Sequence, residues 1–273
     1  MNATARGRSH IAAFFDVDGT LLAAPSLERQ FFAALRHRRA IPMRNYLLWV
    51  ARTVRLAPQG FAAMRHANKM YLRGVSVDGN TENCRQYGQP EFIAHQPRDG
   101  AEGAVPRFFP DAVEQVAWHA MQGHAIVLVS GTLAPLGAEV GLALTMRLAV
   151  RRVAATVAVC ATRLEESEGQ WTGRIAGDAV FGEAKGRAVR RLAREGGLNL
   201  EQCYAYGDSL SDRWMLEAVG QAVAVNPSRR LARLARLKNW SVLMWAEGKT
   251  ARDSAQDTQS TERKAEGIGE KVG

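Results

Sequence analysis

Three short apolar runs limit what this chain can fold into. IAAFF (11–15), AIVLVS (125–130) and CYAYGD (203–208) are each the length of one buried strand. Each gives way to polar residues: Asp16-Val17-Asp18, Ser130-Gly131-Thr132, and Asp208-Ser209-Leu210-Ser211-Asp212. Helical periodicity fills the intervals, in DAVEQVAWHAMQ before Gly123, in Leu133 to Leu148, in Ala184 to Glu195, and in SDRWMLEAV and SRRLARLARLK. AVAV supplies a further short strand, and TVAVCATRLE, the SEGQ turn and WTGRI read as a strand with a hairpin partner. Strands alternating with helices predict an α/β domain on a largely parallel sheet. Ligands of such sheets bind beyond the carboxyl ends of the strands, where these polar groups fall.

One block interrupts the alternation. Residues 26–73 are helical in pattern, with apolar positions at Leu27, Phe31 and Leu35 and again at Tyr46, Leu47, Val50 and Val54. Pro42 and Pro58 cut this stretch into separate helices. Residues 74–106 are polar and glycine-rich around one short helix. The expected architecture is therefore a Rossmann-like parallel sheet core, residues 1–24 and 107–246, with an inserted all-helical cap at 25–106. Residues 247–273 lack apolar periodicity and are expected to be a disordered tail.

Composition narrows the setting. No apolar run reaches the roughly 18 residues of a membrane span, and MNATARGRSHIAAFF has no signal-peptide core. Cys84, Cys160 and Cys203 are an odd, scattered set without a CxxC pair, which points to buried small hydrophobes in a reduced cytoplasm. The formal net charge is +9, concentrated between Ser26 and Val75, where ten Lys and Arg face one acid, Glu28. Such a field draws anions. No nucleic-acid-binding motif accompanies it, so nucleic acid is not an expected partner. NYLLWVARTVRL is apolar with arginines around it; packing within the cap is favoured over peripheral membrane contact. The oligomeric state is left open.

In an extended chain Asp16 and Asp18 point to one side, and a repelling pair of that kind calls for a cation. If the three strands are neighbours, Asp208 and Asp212 join them. An all-oxygen carboxylate site favours Mg2+, and Lys185 supplies a point charge suited to a phosphate oxygen. His37, His66, His95, His119 and His124 show no paired ligand spacing and are assigned no chemistry. Trp118, Trp214 and Met215 are expected in the core.

Taken in order, Asp16-Val17-Asp18-Gly19-Thr20, Ser130, Lys185 and GDSLSD resemble the four signature motifs of the haloacid dehalogenase superfamily of phosphohydrolases. A helical insert between the first two motifs resembles the subgroup containing phosphoserine phosphatases, as do ATRLE…TGRI, FGEAKG and MLEAVG…AVNP. The resemblance spans roughly residues 11–245. It implies a Mg2+-dependent phosphomonoesterase acting on a small phosphorylated substrate. Asp16 would be the nucleophile that forms an aspartyl phosphate, and Asp18 the general acid and base. Ser130, the amide of Gly131 and Lys185 would bind the phosphoryl group. The metal would be held by Asp16, by Asp18 through its carbonyl, by Asp208 and, in an auxiliary role, by Asp212. Gly19 would allow a tight turn beside the phosphoryl group.

The chain departs from that subgroup at Pro25, where phosphoserine phosphatases usually carry a glutamate; the nearest acid is Glu28. An arginine-rich cap suits a more anionic substrate, and a phospholipid phosphatase, such as one acting on phosphatidylglycerophosphate, is the alternative. A phospho-acceptor domain needs neither Asp18 nor the helical block, and a binding domain that has lost activity would lack one of the catalytic carboxylates, whereas all four are present. Asn226, Ser209 and Ser211 are read as turn and cap residues.

Overall fold

The computed structural model describes residues 10–59, 67–77 and 107–246. The expectations for the leader, for the tail and for Cys84, His66 and His95 lie outside those residues. Strand β1 (Ala12–Phe15) is followed by α1 (Leu27–His37) and α2 (Met43–Leu56). Then come α3 (Pro110–Met121), β2 (Ala125–Leu133), α4 (Ala134–Val150), β3 (Val157–Thr162), and the pair β4 (Leu164–Ser167) and β5 (Gln170–Ile175). The chain continues through α5 (Glu183–Gly196), β6 (Tyr204–Gly207), a 3-10 turn (Leu210–Asp212), α6 (Arg213–Leu216), β7 (Gln221–Val225), α7 (Arg229–Lys238) and β8 (Ser241–Leu243).

Six strands form one parallel sheet in the order β3-β2-β1-β6-β7-β8. Alternation along each strand builds two cores. Ala13, Phe15, Ile126 and Leu128 face α3 and α4 on one side. Ala12, Phe14, Val127 and Val129 face α5, α6 and α7 on the other. The three polar-ended strands are thus adjacent at the centre, with β1 between β2 and β6.

The chain leaves the sheet after β1 and returns before α3 along paired linkers. Ala23 N–H donates to the Arg107 carbonyl at 2.9 Å, and Phe109 N–H to the Leu21 carbonyl at 3.0 Å. Pro42 stands at the start of α2, and Pro58 lies in the 3-10 turn Ala57–Gln59 that ends it.

The sequence reading needs four adjustments. TVAVCATRLE is two strands rather than one, because pairing with β2 ends at Thr162 and the chain turns at Arg163 into the antiparallel β4–β5 hairpin. That hairpin is laid against the helical insert: Gly74 N–H donates to the Trp171 carbonyl (2.8 Å) and Trp171 N–H to the Val75 carbonyl (3.0 Å). Strand β8 was not legible in the sequence; it is three residues, held by pairing with β7. Trp118 is 40% exposed rather than core, since its ring packs edge-on against His119 and Tyr204 at the end of α3.

Candidate active site

A cavity of about 590 Å³ opens beyond the carboxyl ends of β1, β2 and β6. Asp16 follows β1, and its N–H donates to the Tyr206 carbonyl at 3.0 Å, which fixes it against β6. Asp208 follows β6 directly. Asp212 closes the next 3-10 turn and reaches back in a reciprocal cap: Ser209 N–H (2.9 Å) and Ser209 Oγ (2.8 Å) donate to Asp212 Oδ2. The expected capping role of Ser209 is therefore present and also orients Asp212. One carboxylate oxygen each of Asp16, Asp208 and Asp212 lies within 4.8 Å of the others.

Lys185, in the first turn of α5, is almost fully buried and ties this group together. Its Nζ donates to Asp16 Oδ1 at 2.6 Å and Asp212 Oδ1 at 2.5 Å. Burial opposes the Lys185 ammonium, but the two carboxylates outweigh it and hold the amine protonated. Arg187, by contrast, faces outward to Asp178.

Three carboxylates around one ammonium leave an uncompensated negative charge. Burial raises Asp16 to about 7, with the Asp212 and Asp18 charges adding and Lys185 opposing. Burial, then Asp16 and Asp212, raise Asp208 to about 8. A bound divalent cation would reverse this penalty, and the donors are all carboxylate oxygens, so the residues fit Mg2+. Gly19 permits the convergence: it adopts φ +85°, and a Cβ there would lie 2.5 Å from Asp208 Oδ2.

Asp18 lines the same cavity and its charge acts on Asp16, but it is not one of the converging trio. Its Oδ1 accepts the Leu27 N–H at 2.8 Å, at the start of α1. The carboxylate oxygens that converge come from two distant segments, Asp16 after β1 and Asp208 with Asp212 after β6, while the chain bends at Val17 to start its exit from the sheet.

Ser130 is buried at the end of β2, and its Oγ accepts the Thr132 N–H at 3.2 Å. Gly131 lies beside it, its carbonyl accepting from Thr162 Oγ1 at 3.0 Å. Ser130, Gly131 and Lys185 all line the cavity. Asn226 is held elsewhere, exchanging hydrogen bonds with the backbone of Trp245.

Thr132 and Arg29 line the cavity and have no individual role in the sequence reading. Thr132 is buried, with an Oγ1 lacking any partner among the described residues; its only signal was standing two positions after Ser130. Arg29 lines the cavity from the exposed side of α1 and was one of ten basic residues with nothing to single it out. Glu28, the acid nearest the expected ammonium-reading position, is engaged by buried Lys69 and by the Tyr71 hydroxyl (3.0 Å).

Residues 13–217 match the family model of the haloacid dehalogenase-like hydrolases. A Mycobacterium tuberculosis protein named "Probable phosphatase Rv3661" is 32% identical over 250 residues, 90% of this chain and 79% of its own. Another from that organism, named as a phosphoserine phosphatase, is 32% identical over 237 residues, 85% and 70% of the two chains. Among solved structures, a Bordetella pertussis protein of unknown function superposes with a TM-score of 0.61 at 26% identity, covering 85% of this chain and 97% of that one. An apo phosphoserine phosphatase shares the fold, with a TM-score of 0.52 at 16% identity and coverage of 86% and 92%. The match runs from the strand before Asp16 to beyond Asp212, so the segments that meet in the cavity are the ones the family shares: this chain belongs to the haloacid dehalogenase-like hydrolases.

Proposed function

We propose that the protein is a Mg2+-dependent phosphomonoesterase that works through an aspartyl phosphate on Asp16. The observation that carries this reading is the trio of buried Asp16, half-buried Asp208 and buried Asp212 beside Lys185, at the ends of adjacent parallel strands. The nearest alternative, a phospho-acceptor domain, has no use for a second acid beside a separate substrate cavity, and Asp18 stands in one.

Each residue then has a task. Asp16 attacks phosphorus in line, and the bond to the leaving oxygen breaks as the Asp16–phosphorus bond forms. Asp18 gives a proton to the leaving alkoxide and later takes one from the water that cleaves the intermediate. Ser130, the Gly131 amide and Lys185 hold the non-bridging oxygens, where charge accumulates in the transition state. Asp16, the Asp18 carbonyl, Asp208 and Asp212 would hold the metal. When bound, Mg2+ supplies positive charge opposite the phosphoryl oxygens.

The substrate class follows from the cap side of the cavity. Glu28 is tied to Lys69, so among the described residues of the insert no uncommitted carboxylate awaits an ammonium group there. Arg29 stands at the mouth instead. We therefore favour a small phosphorylated metabolite whose organic part is itself anionic, with phosphoserine-like compounds as the comparison. The assay is hydrolysis of p-nitrophenyl phosphate with and without Mg2+, followed by a panel of phosphorylated metabolites and phospholipids. Asp16→Asn is expected to reduce turnover to background with an unchanged melting profile. Substantial residual activity in that variant rules out Asp16 as nucleophile.

A further inference from the structure

Helix α2 is anchored on one side and bare on another. On the inner side Asn45 is fully buried, and its amide donates to the carbonyls of Tyr71 (3.1 Å) and Arg73 (2.7 Å). Leu56 is buried, the Trp49 carbonyl accepts from the Asn68 amide at 2.8 Å, and the Trp49 ring lies 6.3 Å from that of Phe32. On another side Met43, Leu47, Val50 and Val54 recur at helical spacing, within an arc of about 60°. They are 80%, 75%, 56% and 68% exposed. A surface helix normally turns polar residues outward. Four aliphatic side chains in one exposed line form a contiguous patch, which marks a contact surface.

The surroundings of this stripe say what it contacts. Arg44, Arg52 and Arg55 on α2, with Arg36 and Arg39 at the adjoining end of α1, are all exposed. The one acid between Ser26 and Val75 is Glu28, already paired with Lys69. The stripe therefore lies in a cationic field that no acid of its own segment offsets. A second copy of this face would bring like charges together. Nucleic acid would meet the arginines and leave the stripe bare. An anionic bilayer surface offers both layers, phosphate headgroups above acyl chains. No described helix is long and apolar enough to cross a membrane, so contact through α2 would be in the plane.

We propose that α2 docks flat on an anionic lipid surface, with Met43, Leu47, Val50 and Val54 entering the interface and the flanking arginines meeting lipid phosphates. The test is sedimentation of the full chain with vesicles of phosphatidylcholine alone, or with one-third phosphatidylglycerol, at low and high salt. Wild type is expected to pellet with the anionic vesicles at low salt and to stay in solution with the neutral ones. Leu47→Glu/Val50→Glu is expected to lower the partition coefficient at least tenfold, and Arg44→Glu/Arg55→Glu to remove the salt-sensitive part; melting curves check that both variants are folded. The proposal is overturned if wild type ignores anionic vesicles or if the Leu47/Val50 variant binds as well as wild type. Light scattering that shows a dimer dissociated by Leu47→Glu/Val50→Glu, without vesicle binding, would assign the face to self-association and overturn it as well.

Discussion

At the scale of single residues, the site is an electrostatic debt held by packing. Asp16 is pushed toward neutrality by burial and the Asp212 charge, and Asp208 by burial and the Asp16 charge, while one lysine serves two carboxylates. A cation that binds only the folded state should then stabilise it by about 2.7 kcal/mol at a hundred times its Kd. For a chain of this size that is a rise in Tm of roughly 5–10 °C when Mg2+ is added to chelator-stripped protein. Asp208→Asn should abolish that rise while melting no lower than wild type in chelator, since it removes a carboxyl whose ionised form burial and Asp16 disfavour; differential scanning fluorimetry reads both. A full Mg2+ shift in the variant would exclude Asp208 as a ligand. Arg29 makes a separable prediction. Arg29→Ala is expected to raise KM about tenfold for a substrate with an anionic organic part, the loss of one charged contact of about 1.4 kcal/mol. Its kcat, and its KM for p-nitrophenyl phosphate, should change little.

At the scale of elements, close backbone approach sets where Lys185 stands. Next to it on α5 is Gly186, where an added Cβ would meet the Trp214 carbonyl oxygen at 2.7 Å. α5 is thus seated directly on α6, the helix that follows Asp212. Gly186→Ala should force the two apart, costing about 1–3 kcal/mol by overpacking, and should lower kcat as the Lys185 ammonium leaves Asp16. A variant with unchanged Tm and kcat would show that the contact is slack. The β4–β5 hairpin is a second such seam. Trp171 is buried under the helical insert, edge-on to Phe31 with ring centroids 6.4 Å apart, and backbone bonds to Gly74 and Val75 complete the join. The helical insert is thus joined by a piece contributed from beyond β3. Hairpin and helices were both readable as elements, from a turn signal and from apolar spacing. Their contact joins residues nearly a hundred positions apart, and no local pattern encodes it.

At the scale of the whole molecule, stability depends on a polar thread through one face of the sheet. His119 is fully buried, one ring nitrogen 2.8 Å from the Tyr206 hydroxyl and the other 2.8 Å from Nδ1 of His124. Burial, with the neighbouring His124, lowers His119 to about 3, and burial lowers His124 as well. A histidine whose pKa falls on folding contributes stability in full above its unfolded value of about 6.5, and loses it as pH drops toward the folded value. Between pH 6.5 and pH 4 the histidines are therefore expected to give Tm a component that slopes downward with acid, opposed by the raised Asp16 and Asp208 carboxyls, which bind protons in the folded state over that range. His119→Gln, which does not titrate, should flatten that slope measurably in parallel melts across the range; an unaltered slope would assign the acid sensitivity elsewhere. Ligand spacing in the sequence gives neither histidine a role, because the Tyr206 hydroxyl that His119 meets comes from a strand over eighty residues away.

The sequence by itself determined the elements and the chemistry they carry. Apolar runs of strand length stop at Asp16, Ser130 and Asp208, and helical spacing fills the gaps, because burial acts on local periodicity that any reader of the chain can follow. Tertiary structure decided which charges meet. Only the strand order β2-β1-β6 and the seat of α5 on α6 gather Asp16, Asp208, Asp212 and Lys185, while the bend after β1 sends the Asp18 carboxylate to the start of α1. It also decided that Glu28 is spent on Lys69 and that one apolar line of α2 is left exposed. Those outcomes depend on distances between remote segments, which spacing along a chain does not fix.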